Sequence, residues 1–247
     1  MVYVAFPVAA AAVAEAVRGV RALGLRGVNV TMPHKQSVVA GLDTLSDDAR
    51  LLDAVNTIVV DDGRLAGHNT DVTGFRDALR DAVAEPVANL SALVLGSGGA
   101  GRAAAVALLR EGVRELTLVA RTPAHGEAAA ARVRAAGQHA SVRVVALDGL
   151  DAGVVSGADI LVNATPLGMH AGGKVPRVLV DNIRRTHIVC DVVYAERPTH
   201  LLEQARAHQA RAMDGVDMLV WQAAASFALW TGRAAPLDVM RAAARQA

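Results

Sequence analysis

The chain has 247 residues and a formal charge of +1, enough length for one large core or two modest ones. The balanced charge, with no basic run interleaved with aromatics, argues against nucleic acid as a partner, and no run is long and apolar enough to span a bilayer. A single cysteine, Cys190, excludes an intrachain disulfide and fits a reducing compartment, the cytoplasm.

Val2–Phe6 reads as a strand, and residues 9–23 as an amphipathic helix with Val13, Val17 and Val20 on one face. Gly24 and Gly27 close that helix and lead into a strand over Val28–Met32. Pro33 suits a first helical turn, so a helix is expected over 33–41. Asn29, Thr31 and Lys35 therefore cluster where a strand hands over to a helix. A cation is poorly served at the positive end of a helix dipole, which suits a lysine that trades protons better than one placed for structure. Most lysines are simply solvated, and the junction alone does not separate the two readings. Ser46 caps a short helix through Leu52, with Asp47 and Asp48 in its first turn.

Ala54–Val60 and Leu65–Gly67 read as strands joined by an Asp62-Gly63 turn, a hairpin. Polar residues crowd the next strand end at Asn69-Thr70-Asp71, and a helix follows to about 84. Asp71 there fits a capping role as well as a ligand-facing one.

Glu85–Asn89, with Pro86, reads as a connection between domains. Ser91–Leu95 is a continuous apolar run, the mark of a strand buried on both faces of a parallel sheet. Gly96-Ser97-Gly98-Gly99-Ala100-Gly101 then opens a small-residue helix. A G-x-G-x-x-G between a buried strand and a helix lets pyrophosphate approach the backbone at a helix N-terminus. The next strand, Leu116–Ala120, ends in Arg121-Thr122 and not in an acidic residue. An arginine there pairs with a 2′-phosphate and favours NADP over NAD.

The alternation continues with a helix over 124–136, a strand over 141–146, a short helix near 149–156 and a strand over Asp159–Asn163. The exit of that last strand, Asn163–Met169 with Thr165 in it, is a natural place for the nicotinamide end of a cofactor. His170, just beyond, reads as a solvated loop residue. A strand over Thr186–Asp191 leads to Val192-Val193-Tyr194, and Pro198-Thr199 starts a helix to about 208. After an Asp214-Gly215 turn comes an apolar helix over 216–230 bearing Gln222, and a last helix over 236–246. A buried glutamine needs partners, which ligand or backbone can supply. No histidine–cysteine spacing suggests a metal site.

Several stretches are familiar together: N-V-T-M-P-H-K (Asn29–Lys35), A-V-N-T (Ala54–Thr57), N-T-D-V-T-G-F (Asn69–Phe75), G-S-G-G-A-G-R (Gly96–Arg102), A-R-T (Ala120–Thr122), N-A-T-P-L-G-M (Asn163–Met169), D-V-V-Y (Asp191–Tyr194) and D-G-V-D-M-L-V-W-Q (Asp214–Gln222). In this order they resemble the shikimate dehydrogenase family. The resemblance implies a two-domain α/β enzyme: a small substrate-binding domain over 1–85, a Rossmann-type NADP-binding domain over 86–215, and C-terminal helices over 216–247 that return to the substrate domain. It implies NADPH-dependent, reversible reduction of 3-dehydroshikimate to shikimate, a step towards chorismate and the aromatic amino acids. Lys35 would transfer the proton with Asp71 as its partner, and Thr31, Asn56 and Gln222 would contact substrate, with Tyr194 near it. Gly96, Ser97, Gly98, Gly99, Ala100, Arg121, Thr122, Thr165, Val192 and Gly215 would line the cofactor, and Asp47 matches an acidic position near it. The partners expected are a small-molecule substrate and, at most, a second copy of the chain.

Two departures shape the expectation. The family carries a Ser-x-Ser loop for the substrate carboxylate upstream of the position of Val2, and nothing in Met1–Ala12 replaces it. A second basic residue usually follows Arg-Thr, where this chain has Ala124 and His125. A dehydrogenase for quinate or an amino analogue, or a dinucleotide-binding protein without turnover, are the alternative readings.

Overall fold

A computed structural model describes residues 2–137, 139–169, 173–194 and 198–246. They divide into two compact units, one running to Thr70 and adding Ser226–Arg233, the other comprising Asp71–Ala225 and Ala234 onwards.

The first unit is built on four short strands, β1 (Gly27–Asn29), β2 (Thr44–Leu45), β3 (Thr57–Asp61) and β4 (Arg64–His68), in the order β1-β3-β4-β2. β3 and β4 form the expected hairpin, with positive φ at Asp62 and Gly63, the backbone that a two-residue turn between twisted strands requires. Helix α1 (Val13–Ala22) buries the predicted Val13, Val17 and Val20 against Val38, Ala49, Val55, Ile58 and Leu65. Helix α2 (Asp47–Leu52) starts at Ser46, whose hydroxyl accepts from Ala49 N at 3.3 Å.

Two expected elements are not found here. Val2–Phe6 joins no strand, and Val2, Tyr3, Val4 and Phe6 are exposed. Extended backbone becomes a strand only beside a partner, and this segment is held by side chains instead: Tyr3 Oη donates to Asn29 Oδ1 at 3.0 Å, and His34 Nε2 lies 2.9 Å from Val8 O. The helix expected over 33–41 is a series of turns after a cis Met32-Pro33 bond, closing in a single 3₁₀ turn at Val39–Gly41. An α-helix would need Lys35 O to accept from Val39 N. That carbonyl accepts from Val55 N at 2.7 Å, and Val39 N turns to Gln36 O.

The second unit carries six parallel strands, β5 (Ser91–Leu95), β6 (Glu115–Ala120), β7 (Ser141–Ala146), β8 (Ile160–Asn163), β9 (Ile188–Asp191) and β10 (Arg211–Met213). Their order is β10-β9-β8-β5-β6-β7, which is the doubly wound arrangement with its reversal between β5 and β8. The interior strands are buried apolar runs, as their composition requires. Helices α3 (Asp71–Ala82), α4 (Gly99–Arg110), α5 (Pro123–Arg134), α6 (Ala152–Ser156), α7 (Arg177–Asp181), α8 (His200–Ala207), α9 (Gly215–Thr231) and α10 (Leu237–Ala244) complete the chain.

The units part at Thr70/Asp71, where the sequence reading divides at 85/86. α3 groups with the second unit because it packs on α4 and its Arg80 forms a bidentate pair with Glu111. At the other end, Ser226–Arg233 groups with the first unit, where Trp230 Nε1 donates to Ile58 O at 2.9 Å. α10 stays with the second unit, its Arg241 paired with Asp81 of α3.

Candidate functional site

In the first unit the polar side chains gather where β1 and β3 meet the end of β4. Asn56, Thr57, Asn69, Thr70 and Ser226 are all buried, so each hydroxyl and amide there must find partners. Asn56 is the centre. Its Oδ1 accepts from Thr70 N at 2.7 Å and lies 3.0 Å from Thr57 Oγ1, while its Nδ2 donates to Thr70 Oγ1 at 2.9 Å. A backbone N–H can only donate, so the amide's orientation is settled by chemistry. Asn29 Nδ2 reaches Asn56 O, Thr57 Oγ1 and Ser226 Oγ at 3.1–3.2 Å. Asn69 Nδ2 donates to Ala54 O at 2.9 Å. Lys35 is half-buried, and its carbonyl bond to Val55 N fixes its backbone beside the approach to Asn56. Thr31 is exposed.

Asp71 opens α3, at the helix end where a carboxylate is favoured. One turn on, Gly74 meets Gln222 of α9: a Cβ at Gly74 would lie 2.6–2.9 Å from Gln222 Cβ, N and Cα. Only glycine lets the two backbones approach so closely. Gln222 is therefore held on the Asp71 face of α3, and its Nε2 donates to Leu219 O at 2.9 Å.

The glycine turn between β5 and α4 divides its tasks among four glycines. Gly96 has φ +111°, and a Cβ there would meet Ala164 O and Thr165 Cγ2 at 2.9 Å. Gly101 packs α4 onto the turn, with the place of a Cβ only 2.0 Å from Gly96 O. At Gly98 and Gly99 an added Cβ would meet nothing within 4 Å. Two glycines are thus demanded by the protein, and the other two leave the backbone of a twelve-residue helix's N-terminus bare, as a pyrophosphate needs. A dinucleotide fits this turn.

The remaining cofactor candidates of the second unit lie along the same carboxyl edge of its sheet. Thr165 lies against Gly96, and its Oγ1 donates to Asn163 Oδ1 at 2.7 Å. Val192 lies against Gly215, where a Cβ would sit 2.6 Å from Val192 O. Arg121 and Thr122 are exposed at the end of β6, beside β5. Tyr194 is also exposed. Asp47 is solvent-facing in the first turn of α2 and pairs with Arg50 at 2.9 Å. His170 lies outside the described residues.

Sequence reading missed two groups. Asp191, fully buried, accepts from Thr199 Oγ1 at 2.6 Å, Asn163 Nδ2 at 2.9 Å and Val193 N at 3.1 Å. Burial pushes its carboxyl above the usual range while those bonds pull it back, and burial likewise raises the neighbouring Cys190 thiol. Ser226 was the other omission. It is the hydroxyl four residues after Gln222 in an otherwise apolar run, and that i, i+4 spacing was the available signal.

The chain was compared with known proteins. A family model described as the shikimate dehydrogenase substrate binding domain matches residues 1–58, and one described as the shikimate 5′-dehydrogenase C-terminal domain matches residues 215–245. A curated shikimate dehydrogenase (NADP(+)) of Rubrobacter xylanophilus is 46% identical, over 98% of this chain and 84% of the relative. A crystal structure of shikimate 5-dehydrogenase from Listeria monocytogenes with shikimate and NAD has a TM-score of 0.88 at 33% identity, covering 98% of this chain and 85% of that one. Quinate dehydrogenase from Corynebacterium glutamicum in complex with NAD has a TM-score of 0.85 at 37% identity, covering 93% of this chain and 80% of that one.

Proposed function

The chain belongs to the shikimate dehydrogenase family, and from that premise we propose that it interconverts 3-dehydroshikimate and shikimate with NADP, on the route to chorismate and the aromatic amino acids. The observation that carries the redox half is the glycine turn at the β5/β8 reversal, bare at Gly98 and Gly99. The substrate rests on kinship with the relatives. NADPH, when bound, supplies the hydride for the ketone carbon.

The residues supply the rest. Lys35 gives a proton to the ketone oxygen as it becomes a hydroxyl, and takes it back in the reverse direction. Asp71 accepts from a substrate hydroxyl and pairs with the ammonium. Asn56, Thr31 and Gln222 orient the ring, with Tyr194 beside it, so that the reacting atoms meet in one geometry. Gly96, Ser97, Gly98, Gly99 and Ala100 take the pyrophosphate, and Arg121 with Thr122 takes the 2′-phosphate. Thr165, Val192 and Gly215 line the nicotinamide end. Asp47 is accounted for by its helix end and its Arg50 pair. The one cysteine is kept as a thiol in the cytoplasm, and the partner is the small-molecule substrate.

Kinship to the Corynebacterium quinate dehydrogenase makes quinate the second reading. The test is reduction of NADP⁺, followed by nicotinamide absorbance, with shikimate and with quinate, then with NAD⁺ and with Lys35→Ala. Faster turnover with quinate selects the second reading. Retained NADP⁺ binding with turnover of neither substrate reduces the protein to a dinucleotide binder. Full activity in Lys35→Ala removes the lysine from the mechanism.

A further inference from the structure

Ser226 belongs to none of the roles above, yet it is fully buried and touches every hydroxyl around Asn56. Its Oγ lies 2.7 Å from Thr57 Oγ1 and 3.2 Å from Thr70 Oγ1, and accepts from Asn29 Nδ2 at 3.1 Å. It stands on a helix that is otherwise apolar along this stretch, and 169 positions separate it from Thr57.

Each hydroxyl carries one proton, so the order of donation is constrained. Asn29 Nδ2 can only donate. Ser226 can accept that bond and pass its own proton along the short contact to Thr57. Thr57 is then free to give its proton to Asn56 Oδ1, 3.0 Å away. With Thr70 N–H on the same oxygen, the amide oxygen is committed inward, and Asn56 meets a ligand through its nitrogen. We propose that Ser226 is a positioning residue for the substrate: it orders the Thr57 and Thr70 hydroxyls, and through them holds the Asn56 amide with its nitrogen towards the bound polyhydroxy acid. This rests on the reading in which Asn56 contacts substrate.

The chain of contacts also explains why a hydroxyl is needed rather than a methyl. Alanine at 226 takes one acceptor from Asn29, which keeps Asn56 O and Thr57 Oγ1, and one partner from the buried Thr57 hydroxyl, whose proton is then no longer directed to Asn56 Oδ1. Thr70 N–H still marks the oxygen side of the amide, but with one ordered donor fewer the side chain is held more loosely, and its nitrogen meets the substrate less often in the productive geometry.

The experiment uses Ser226→Ala, Thr57→Val, their combination, and Thr57→Ser as the variant that keeps the hydroxyl. Steady-state KM is measured for shikimate and for NADP⁺, with thermal unfolding beside it. Exchange of the Asn56 side-chain amide protons is followed by NMR. Ser226→Ala should raise KM for shikimate about tenfold, as loss of one buried bond implies, leave KM for NADP⁺ within about twofold, and speed Asn56 amide exchange. Thr57→Val should do the same, the double variant no more than either single one, and Thr57→Ser should behave as wild type. The proposal is overturned by an unchanged KM for shikimate, by an equal rise for both substrates, or by effects that multiply in the double variant. If the wild type turns over no shikimate, the activity reading fails instead, and Asn56 exchange decides alone: unchanged exchange in Ser226→Ala overturns the positioning role.

Discussion

The two units solve the problem of a polar site at a strand end in opposite ways. In the first, strands of two to five residues bring few backbone groups to the site, so neutral side chains bond one another: Asn29, Asn56, Thr57, Thr70 and Ser226. In the second, six parallel strands present one carboxyl edge, and the site is largely backbone: glycines that are bare or pressed close, with the buried carboxylate of Asp191 bracing the exit of β9. The first arrangement is specific in its protons and the second in its shape. A polyhydroxy acid is read by donors and acceptors, whereas a pyrophosphate is read by N–H groups at a helix end, so under the proposed function each unit is built as its ligand would require.

The sharpest break in this comparison is Lys35→Ala. If the first unit holds the proton-transferring group, kcat for shikimate should fall about a thousandfold, within the usual range for general acid–base catalysis, while NADP⁺ affinity, a property of the second unit, stays as it was. A loss of affinity for NADP⁺ alone would place Lys35 in the wrong half of the chemistry.

Within the second unit, two glycines separate shape from ligand. Gly101→Ala drives a methyl to 2.0 Å from Gly96 O and should lower unfolding free energy by about 3 kcal/mol, measured by urea denaturation. Gly98→Ala meets no protein atom within 4 Å. It should leave stability within about 0.5 kcal/mol and weaken NADP⁺ binding, measured by titration calorimetry. Equal stability losses in the two variants would contradict this division of labour.

Much of the second unit was legible because buried parallel strands are written as continuous apolar runs, and because its glycines mark turns that no other residue makes. β10 escaped notice: Arg211–Met213 is three residues long and becomes a strand only by lying beside β9. In the first unit Asn56 and Lys35 stood out by motif, but the helix expected after Pro33 did not form, because the carbonyl of Lys35 is spent on Val55. That bond is tertiary, as is the contact that gives Ser226 its surroundings. Local pattern carries neither.

Arg121→Ala tests the edge of the second unit. The residue is exposed at the end of β6, so its contribution is to the ligand and not to the fold. KM for NADP⁺ should rise about tenfold, as loss of one charge-assisted pair implies, with KM for NAD⁺ unchanged. A parallel rise for both nucleotides would mean that Arg121 does not recognise the 2′-phosphate.

The smallest effect distinguishes the two polar clusters by pH. Ser226 bonds to Asn29, Thr57 and Thr70, side chains that carry no titrating proton, whereas burial holds the Asp191 carboxyl above its ordinary value of 3.8. The folded state therefore binds that proton more tightly than the unfolded chain. The associated stabilisation is complete below the unfolded value and is lost as pH rises through the raised folded one. Asp191→Asn removes the titration: its amide oxygen can still accept from Asn163 and Val193, and its nitrogen can donate to Thr199 Oγ1. Denaturation at a series of pH values from 4 upwards should show wild-type stability declining relative to Asp191→Asn, whereas the difference between wild type and Thr57→Val stays constant. Parallel curves for wild type and Asp191→Asn would mean that the strand-exit carboxylate is as well solvated by its three donors as by water, and that the two clusters do not differ in their response to protons.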